Sequence, residues 1–350
     1  MVSIEPYTGS AEELADFVGM VWSRSYAGKM VFPRWTADYF RWQFRQESTG
    51  VGDNLLAAYE GSTLVGVSSG TDYSFRTPNG VVPGSHWSWL SVHPDHQRKG
   101  VAPALDQERI RRQQANGSEL MVSYRYLGSH SMAERPNSNS PSKVFLKTLG
   151  FWARVLSPDR FSRWHYSRLE GVLARMAVPP VRVRSPSAND PLIREFVPEE
   201  LNACLQLVQA SQQAAALAIH WTPETLLHHL AGSPVSQTLV LEESERVTGL
   251  VNFHVLPFQA RTVENVGVFD VIAFRDATGI GQHWLIHAAL SRMVAQDAVL
   301  ALKLRCGDTP IWPLLRNVFV PHLPDHSLVL QWLNAPIEIP ARSKLHLLWR

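Results

Sequence analysis

The chain has 350 residues, of which 45% are hydrophobic and 18% charged, so it is long enough for two domains that each bury a core, and intrinsic disorder is excluded as its dominant state. Its 33 lysines and arginines nearly balance 31 aspartates and glutamates, which excludes a protein whose main task is to wrap nucleic acid. The 2 cysteines support neither a disulfide framework nor a zinc site and fit a reducing, cytoplasmic location. No apolar run has the length that a signal peptide or a membrane helix needs, so no membrane partner is expected.

The first half of the chain has the pattern of alternating strands and helices. Ser10, followed by Glu13, is typical of a capping box that starts a helix, and Thr36 is positioned to cap a second, short helix. In chain order the pattern predicts a strand at 2–6, a helix ending near 26, a helix after Thr36, strands at 55–59, 64–74 and 81–92, a helix at 102–115, a strand at 120–126 and a helix at 142–149.

Short matches in a common order indicate that the second half is a copy of the first. The residues that follow Trp35 return after Trp221, and Gly100-Val-Ala returns as Gly279-Ile-Gly. We therefore expect domains at 1–175 and 190–350, joined near 179–191, where Pro, Ser and Arg are frequent. The second copy is predicted to contain strands at 238–242, 247–257, 266–274 and 299–305 and a helix at 281–296.

The most informative stretch is the loop at 97–102, between a strand that ends near Val92 and the helix that follows. It reads QRKGVA and combines small residues, positive charge and a helix N-terminus. Glycine and alanine let the backbone come close to an anion, and the first N–H groups of a helix point at it. The loop fits neither GxxxxGK[ST] nor GxGxxG, which disfavours ordinary nucleoside triphosphate and dinucleotide sites. These residues therefore predict a cradle for a phosphate group.

This loop resembles the [QR]xxGx[GA] motif of the GCN5-related N-acetyltransferases (GNAT), and the Val-x-Pro that precedes it in that family is present here as Val92-His93-Pro94. The segment 139–151 is similar to the family's NxxSxxxYxxxGF pattern, with Leu146 in place of the tyrosine. The resemblance implies a tandem GNAT protein of mixed α/β class, in which each domain is a mixed, mainly antiparallel sheet flanked by helices. It also implies that acetyl-CoA is bound as co-substrate by a strand edge, by the cradle and by one asparagine: Leu90, Ser91, Val92, Gln97, Arg98, Lys99, Gly100, Val101, Ala102 and Asn139.

The chemistry implied by this resemblance is direct attack of a neutral amine on a thioester, which needs a base and a proton donor for the departing thiolate. His86 stands where histone-type members have a general-base glutamate, and histidine is a chemically sound substitute. The alternative is a histidine that is hydrogen-bonded within the sheet. Because Leu146 replaces the usual tyrosine, either Tyr124 or Tyr126 is expected to give the proton, or the thiolate leaves unaided.

A long polar loop follows the strand at 120–126, and it has two interpretations. It is a lid over the substrate that carries His130, Glu134 and Arg135, or it is a solvated insertion without a role.

The second copy keeps the glycines of the cradle but not its charge. Its loop places Asp276 at the position of Gln97, with no lysine or arginine after it, so this copy is expected to bind the cofactor poorly or not at all. Histidines occur at 220, 228, 229, 283 and 287, but no carboxylate or cysteine completes a compact set in sequence, and no metal is expected.

Together these features predict an N-acetyltransferase that moves an acetyl group from acetyl-CoA to an amine of a small molecule or peptide. No nucleic-acid partner is expected, because aromatic residues are not interleaved with the arginines in any recognisable module. Two alternatives stay open: the same fold with a longer acyl-CoA, and a non-catalytic acyl-CoA-binding or protein-interaction module, which Leu146 and the missing glutamate suggest.

Overall fold

A computed structural model of the chain describes residues 2–45, 54–126, 143–177, 179, 181 and 192–350. The strands are β1 (Val2–Pro6), β2 (Phe32–Pro33), β3 (Leu55–Glu60), β4 (Thr63–Thr77), β5 (Gly80–Val92), β6 (Leu120–Tyr126), β7 (Lys143–Leu149), β8 (Phe151–Val155), β9 (Leu192–Glu195), β10 (Ala215–His220), β11 (Ser236–Glu243), β12 (Arg246–Gln259), β13 (Val263–Phe274), β14 (Ala298–Leu304), β15 (Val320–Pro321), β16 (His326–Trp332) and β17 (Lys344–His346). The helices are α1 (Ala11–Tyr26), α2 (Ala37–Phe44), α3 (Val101–Ala115), α4 (Pro158–Trp164), α5 (Arg168–Ala177), α6 (Leu201–Gln212), α7 (Pro223–Ala231), α8 (Gly279–Ala295) and α9 (Ile311–Arg316).

The predicted helix starts are confirmed, because polar side chains satisfy the first backbone N–H groups. The backbone N–H of Glu13 donates to Ser10 Oγ at 3.1 Å, and that of Ser10 donates back to Glu13 Oε2 at 3.0 Å, which completes the capping box of α1. Thr36 accepts from the backbone of Tyr39 at 3.2 Å at the start of α2. The elements on both sides of the cradle, β5 and α3, also lie where the pattern predicts them.

The predicted helix at 142–149 is wrong, since this segment is strand β7, paired antiparallel with β16. The apolar pattern of this segment also fits a helix, because Leu146 and Leu149, both buried, are three residues apart and would lie on one helix face. The edge of β16 provides hydrogen-bond partners along one side of the segment, and its valine, phenylalanine and threonine favour a strand. Leu146 therefore stands on a strand, not on the helix that the family pattern implies.

Two mixed sheets form the centre of the fold, and their strands run mainly antiparallel. In the described residues, the first has nine strands in the order β1-β3-β4-β5-β6-β16-β7, with β10 attached at β4 and β17 at β10. The second has eight in the order β15-β8-β14-β13-β12-β11-β9, with β2 attached at β12. The parallel pairs β5–β6 and β13–β14 occupy equivalent places in the two sheets. The mixed α/β class with two mixed, mainly antiparallel sheets is confirmed.

Each sheet contains strands from both halves of the chain. Two strands of the second half join the first sheet: β16 pairs with β6, and β10 pairs with β4. Two strands of the first half join the second sheet: β8 pairs with β14, and β2 pairs with β12. One buried hydrophobic cluster accordingly includes residues of both sheets, such as Val67 and Val240. This reciprocal exchange places the start of β16, His326, beside the end of β6, Tyr126, where the candidate site lies.

Candidate active site

The backbone pairing between β5 and β6 stops partway along β5. The parallel ladder runs from Gly84 and Leu120 to Trp87 and Ser123. Beyond this point β6 continues to pair with β16 on its other side, and Tyr126 lies opposite His326. On the β4 side, β5 has an irregular register, at which Trp89 takes a φ of 56°. This bulge turns the last residues of β5 away from β6, and it leaves an edge at 88–92 that no strand of the described residues covers on the β6 side.

The three predicted strand-edge residues lie along this opening. Leu90 is exposed, Val92 is partly buried, and Ser91 is buried with its Oγ accepting a hydrogen bond from Trp22 Nε1 at 3.0 Å. An extended ligand can pair with such an edge as an additional strand.

The loop at 97–102 has the shape of an anion cradle. Arg98 and Gly100 take left-handed conformations, with φ of 61° and 81°, and α3 begins immediately after them. The side chains of Gln97, Arg98 and Lys99 are exposed. Since an α-helix leaves its first N–H groups without partners inside the helix, those at the start of α3 face an approaching anion.

The start of α3 is packed firmly against the first sheet. Val101 and Leu105 are buried, and a Cβ added at Gly66 of β4 would lie 2.9 Å from Val101 Cγ1. This close approach of helix and strand fixes the cradle relative to the edge of β5.

The equivalent position in the second copy is filled by the protein itself. Glu243 accepts hydrogen bonds from the backbone N–H and the Oγ1 of Thr278, at 3.0 and 2.5 Å, at the start of α8. Thr278 in turn accepts from the N–H of Gly281 at 3.0 Å. A carboxylate therefore occupies the end of the helix that would receive a phosphate, and it repels a second anion.

Tyr126, at the end of β6, belongs to a cluster with residues that sequence reasoning missed. Its ring lies 4.2 Å from that of His326, between ring centroids. His326 Nδ1 lies 2.5 Å from Asp325 Oδ1, and Trp349 Nε1 lies 3.2 Å from His326 Nε2. Because an indole N–H can only donate, Nε2 is the acceptor, and Nδ1 carries the proton that Asp325 accepts. The hydrogen bonds thus orient a neutral imidazole with its basic nitrogen toward Trp349.

A cavity of about 510 Å³ adjoins this cluster. It lies between the second sheet and helices α4 and α5, and most of its walls are apolar, among them Phe151, Phe161, Trp164, Phe258 and Leu300. Tyr126, Asp325, His326 and Trp349 form one part of the lining, and His165, Glu170 and His322 form another. Such a size and composition are typical of a small-molecule site.

Trp22 connects the strand edge to the cavity. Its indole N–H binds Ser91, and its ring lies edge-on to Tyr126 with 5.7 Å between centroids. The edge of β5 is therefore separated by a single aromatic side chain from the tyrosine that lines the cavity.

His86 lies within the first sheet, one pair before the β5–β6 ladder ends. It is buried, its Nε2 has no hydrogen-bond partner among the described residues, and its ring packs edge-on against Tyr124 at 5.2 Å. Burial, and secondarily the charge of Arg350, lowers the pKa of His86 to about 3. The imidazole is consequently neutral, and its catalytic role stays a prediction.

The two tyrosines of β6 differ in their surroundings. The hydroxyl of Tyr124 donates to the carbonyl oxygen of Leu348 at 2.8 Å, whereas Tyr126 lines the cavity. Burial raises the pKa of both phenols well above the usual value, so both remain protonated at neutral pH. Of the two, Tyr126 is placed to meet a ligand.

Several sequence-based candidates lie outside the described residues. They are Asn139 and the three residues of the proposed lid, His130, Glu134 and Arg135. The proposed connection between domains at 179–191 is described only at positions 179 and 181.

A buried charged cluster lies within the second half of the chain, and sequence reasoning missed it as well. Asp270 of β13 accepts two hydrogen bonds from Arg350, and its Oδ2 lies 3.2 Å from His254 Nδ1 and 3.5 Å from His229 Nε2. Burial alone would raise the pKa of Asp270, but Arg350 and His254 hold it well below the usual value. This carboxylate anchors the segment that carries Trp349.

The histidines that invited a metal interpretation do not assemble into a metal site in the described structure. Within the described ranges, no group of three or more histidine, cysteine, aspartate or glutamate side chains is arranged to hold a metal ion.

None of the described helices combines the length and apolar character required to span a membrane.

Comparison with known proteins agrees with this geometry. Residues 12–128 match the family model described as an acetyltransferase (GNAT) domain. Saccharomyces cerevisiae N-myristoyltransferase with bound myristoyl-CoA has a similar structure, with a TM-score of 0.76 over 100% of this chain and 89% of that chain, at 15% identity. A GCN5-related N-acetyltransferase from Kribbella flavida superposes with a TM-score of 0.51, at 14% identity, and covers 95% of this chain and 72% of that chain. No curated protein matches the sequence significantly.

Proposed function

We propose that this chain, which carries a GNAT domain at 12–128 within a tandem GNAT fold, transfers an acyl group from acyl-CoA to an amine. The first half, 1–175, would bind the cofactor, and the second, 190–350, would contribute to the acceptor site. The observation that carries this proposal is the order of the cradle at 97–102, the open edge of β5 and the cavity lined by Tyr126, in which only the side chain of Trp22 separates the edge from Tyr126.

The cofactor would lie with its diphosphate on the cradle and its pantetheine arm along β5. The N–H groups of 98–102 and the charges of Arg98 and Lys99 would hold the diphosphate. The backbone of Leu90, Ser91 and Val92 would pair with the amide groups of the arm, and Asn139 would add a further hydrogen bond.

The acyl group is proposed to be acetyl. Large buried rings pack against one another beneath β5: Trp89 contacts Trp35, Tyr39, Phe40 and Phe44. This packing fills space that a long acyl chain would need on that side of the strand. The yeast enzyme was solved with myristoyl-CoA, so a long acyl-CoA belongs in the same experiment.

The reaction would be a direct transfer. The amine nitrogen attacks the thioester carbonyl, a C–N bond forms and the C–S bond breaks; the amine proton passes to a base, and the thiolate takes a proton from a donor. Tyr126 is proposed as the donor, since its phenol stays protonated. His326 is proposed as the base, because it lines the cavity, its Nε2 is an acceptor that binds Trp349 Nε1, and Asp325 holds its Nδ1–H. An amine that displaces Trp349 from Nε2 can leave its proton there.

Calorimetric titration tests the cofactor site. One molecule of acetyl-CoA is expected to bind per chain, and coenzyme A is expected to compete with it, whereas myristoyl-CoA should bind more weakly. The double variant Arg98→Glu/Lys99→Glu should weaken binding at least tenfold, while Arg275→Glu, an exposed arginine of the second copy, should not. Absence of acyl-CoA binding by the wild-type chain overturns the proposal, and binding without thiol release across a broad amine panel favours a non-catalytic acyl-CoA-binding module.

A further inference from the structure

The cavity beside Tyr126 has a lining of distinctive charge. Two carboxylates, Glu170 and Asp325, border it, and the lining includes neither lysine nor arginine. Its remaining ionisable side chains are Tyr126 and three histidines, His165, His322 and His326. A ligand with a carboxylate would lie near two groups of like charge in this cavity, whereas an ammonium group would meet two opposite charges.

The remaining walls are apolar, and they are supplied by both halves of the chain. Phe151 and Phe161 come from the first half, and Phe258, Leu300 and Trp349 from the second. Water in such a space has few partners, so an apolar group that replaces it is bound favourably. The volume of about 510 Å³ exceeds what an acetyl group or a short alkylamine can fill.

The polar groups of the lining differ in their access to solvent. The side chains of Glu170 and His322 are 43% and 42% exposed, with Glu170 Oε2 lying 3.6 Å from His165 Nδ1 and 4.0 Å from His322 Nε2. His326 is buried, and Tyr126 is partly buried with its hydroxyl enclosed. An amine would therefore pass a half-exposed carboxylate on its way to the buried acid–base groups.

From this lining we infer that the acceptor is a primary amine with a large apolar body and no carboxylate, such as an arylalkylamine. This inference rests on the proposed function, since it names the acceptor of that reaction. It excludes free amino acids and amino sugars as preferred acceptors: the former carry a carboxylate beside the amine, and the latter carry hydroxyl groups that the apolar walls leave without partners.

A matched pair of acceptors tests the inference that the acceptor carries no carboxylate. Tryptamine and tryptophan share the indole body and differ by one carboxylate, and thiol release from acetyl-CoA measures the KM of each. We expect the KM of tryptophan to exceed that of tryptamine at least 100-fold. Glu170→Arg should reduce this ratio at least tenfold, a reversal of preference that loss of packing alone would not produce. Equal KM values, or a ratio that Glu170→Arg leaves unchanged, overturn the inference.

A pair of variants tests whether the apolar body of the acceptor lies in the cavity. Ala174 is buried and lines the cavity, while Val172, on the same helix α5, is exposed and does not. Ala174→Phe should raise the KM of tryptamine at least tenfold relative to that of ethylamine, with an unchanged Kd for acetyl-CoA, and Val172→Phe should change neither. If Ala174→Phe leaves the KM of tryptamine unchanged, the body of the acceptor lies elsewhere and the inference is wrong.

A binding experiment separates failure of the inference from failure of the proposed function. Calorimetry of tryptamine in the presence of coenzyme A needs no turnover. Wild-type binding that Ala174→Phe removes supports the acceptor class even if no thiol is ever released, in which case only the transferase proposal fails. Thiol release with short polar amines, without tryptamine binding, overturns the acceptor class and leaves the transferase proposal intact.

Discussion

The guanidinium of Arg350 donates two hydrogen bonds to the carboxylate of Asp270, at 2.9 and 3.0 Å, and both side chains are buried. The pair joins strand β13 of the second sheet to the segment after β17. Trp349, the neighbour of Arg350, lines the cavity and donates to His326. An ion pair of the second copy thereby positions the side chain that binds the imidazole of His326 at the wall of the cavity.

Removing one partner of this pair should be strongly destabilising. We expect Asp270→Ala to lower the free energy of unfolding by about 3–5 kcal/mol, because it leaves the guanidinium buried without its counter-charge. Urea-induced unfolding measures the loss. In the double variant Asp270→Ala/Arg350→Met, the loss should be smaller than the sum of the two single losses by about 1–3 kcal/mol, and simple additivity would contradict a direct coupling.

A negative charge at the cradle of the first copy should abolish cofactor binding, whereas the same charge at the equivalent loop of the second copy should not. Gly100→Glu puts a carboxylate at the start of α3, where the diphosphate is proposed to lie, and acetyl-CoA binding should be lost. Gly279→Glu is the matched control, because Gly279 is the equivalent glycine, and a Cβ there has no neighbour closer than 3.7 Å.

The conformation of Gly100 requires a second control. Its φ of 81° disfavours any side chain, so Gly100→Gln carries the same strain without the charge. We expect Gly100→Gln to bind acetyl-CoA more tightly than Gly100→Glu by about tenfold or more, which calorimetry can resolve. Equal loss of binding in Gly100→Glu and Gly279→Glu would contradict a single cofactor site.

Local sequence patterns are sufficient to predict the cradle and the elements that flank it. Caps such as Ser10 and Thr36, and the apolar runs of β3 to β6, are determined by neighbouring residues, and a helix N-terminus after a glycine has the same geometry in many contexts. The segment 143–149 could not be assigned in this way. Its apolar spacing fits a helix as well as a strand, and the decision is made by the edge of β16, about 180 residues away in sequence.

The acid–base cluster could not be predicted for a related reason. Asp325 and His326 approach Tyr126 because β16 is inserted between β6 and β7, and no spacing rule within one half reveals such an exchange. Likewise, nothing near Asp270 in sequence indicates that its partner is Arg350. The predicted repeat did indicate that the chain forms two similar sheets. It did not indicate that these sheets exchange strands.

Buried histidines should make the protein sensitive to mild acid. Burial lowers the pKa of His86 and His229 to about 3 and that of His346 to about 4, so the folded state binds fewer protons than the unfolded chain below pH 6.5. Stability is therefore fully present above pH 6.5 and falls as pH decreases toward these values, by up to about 1.4 kcal/mol per pH unit for each imidazole. Urea unfolding between pH 7 and 5 measures this slope.

One variant isolates a single contribution to that slope. His86→Leu removes an imidazole whose Nε2 has no hydrogen-bond partner among the described residues. The variant should lose stability less steeply than the wild type as pH falls, by up to about 1.4 kcal/mol per unit. Parallel curves for the two proteins would show that His86 titrates at its ordinary value in the folded state.

Tyr126→Phe tests the proposed proton donor. The variant keeps the ring that packs on Trp22 and His326 and loses only the hydroxyl. We expect kcat to fall about 10- to 100-fold, while the Kd for acetyl-CoA stays the same. Tyr124→Phe, whose hydroxyl binds the carbonyl of Leu348, is the matched control and should retain kcat. A wild-type kcat in Tyr126→Phe would mean that the thiolate leaves unaided or takes its proton elsewhere.

The base is tested by comparing two histidines on the same sheet. His326 borders the cavity and is held by Asp325, whereas His86 is enclosed within the sheet with a pKa lowered by burial to about 3, which makes it a weak base. His326→Gln should therefore reduce kcat by about 100-fold or more, and His86→Leu should reduce it much less. Pre-steady-state thiol release and calorimetry with acetyl-CoA separate a chemical defect from a binding defect. If His86→Leu lost kcat to the same extent while unfolding at the same urea concentration as the wild type, the proton would pass to His86, and the Asp325–His326 pair would only shape the cavity.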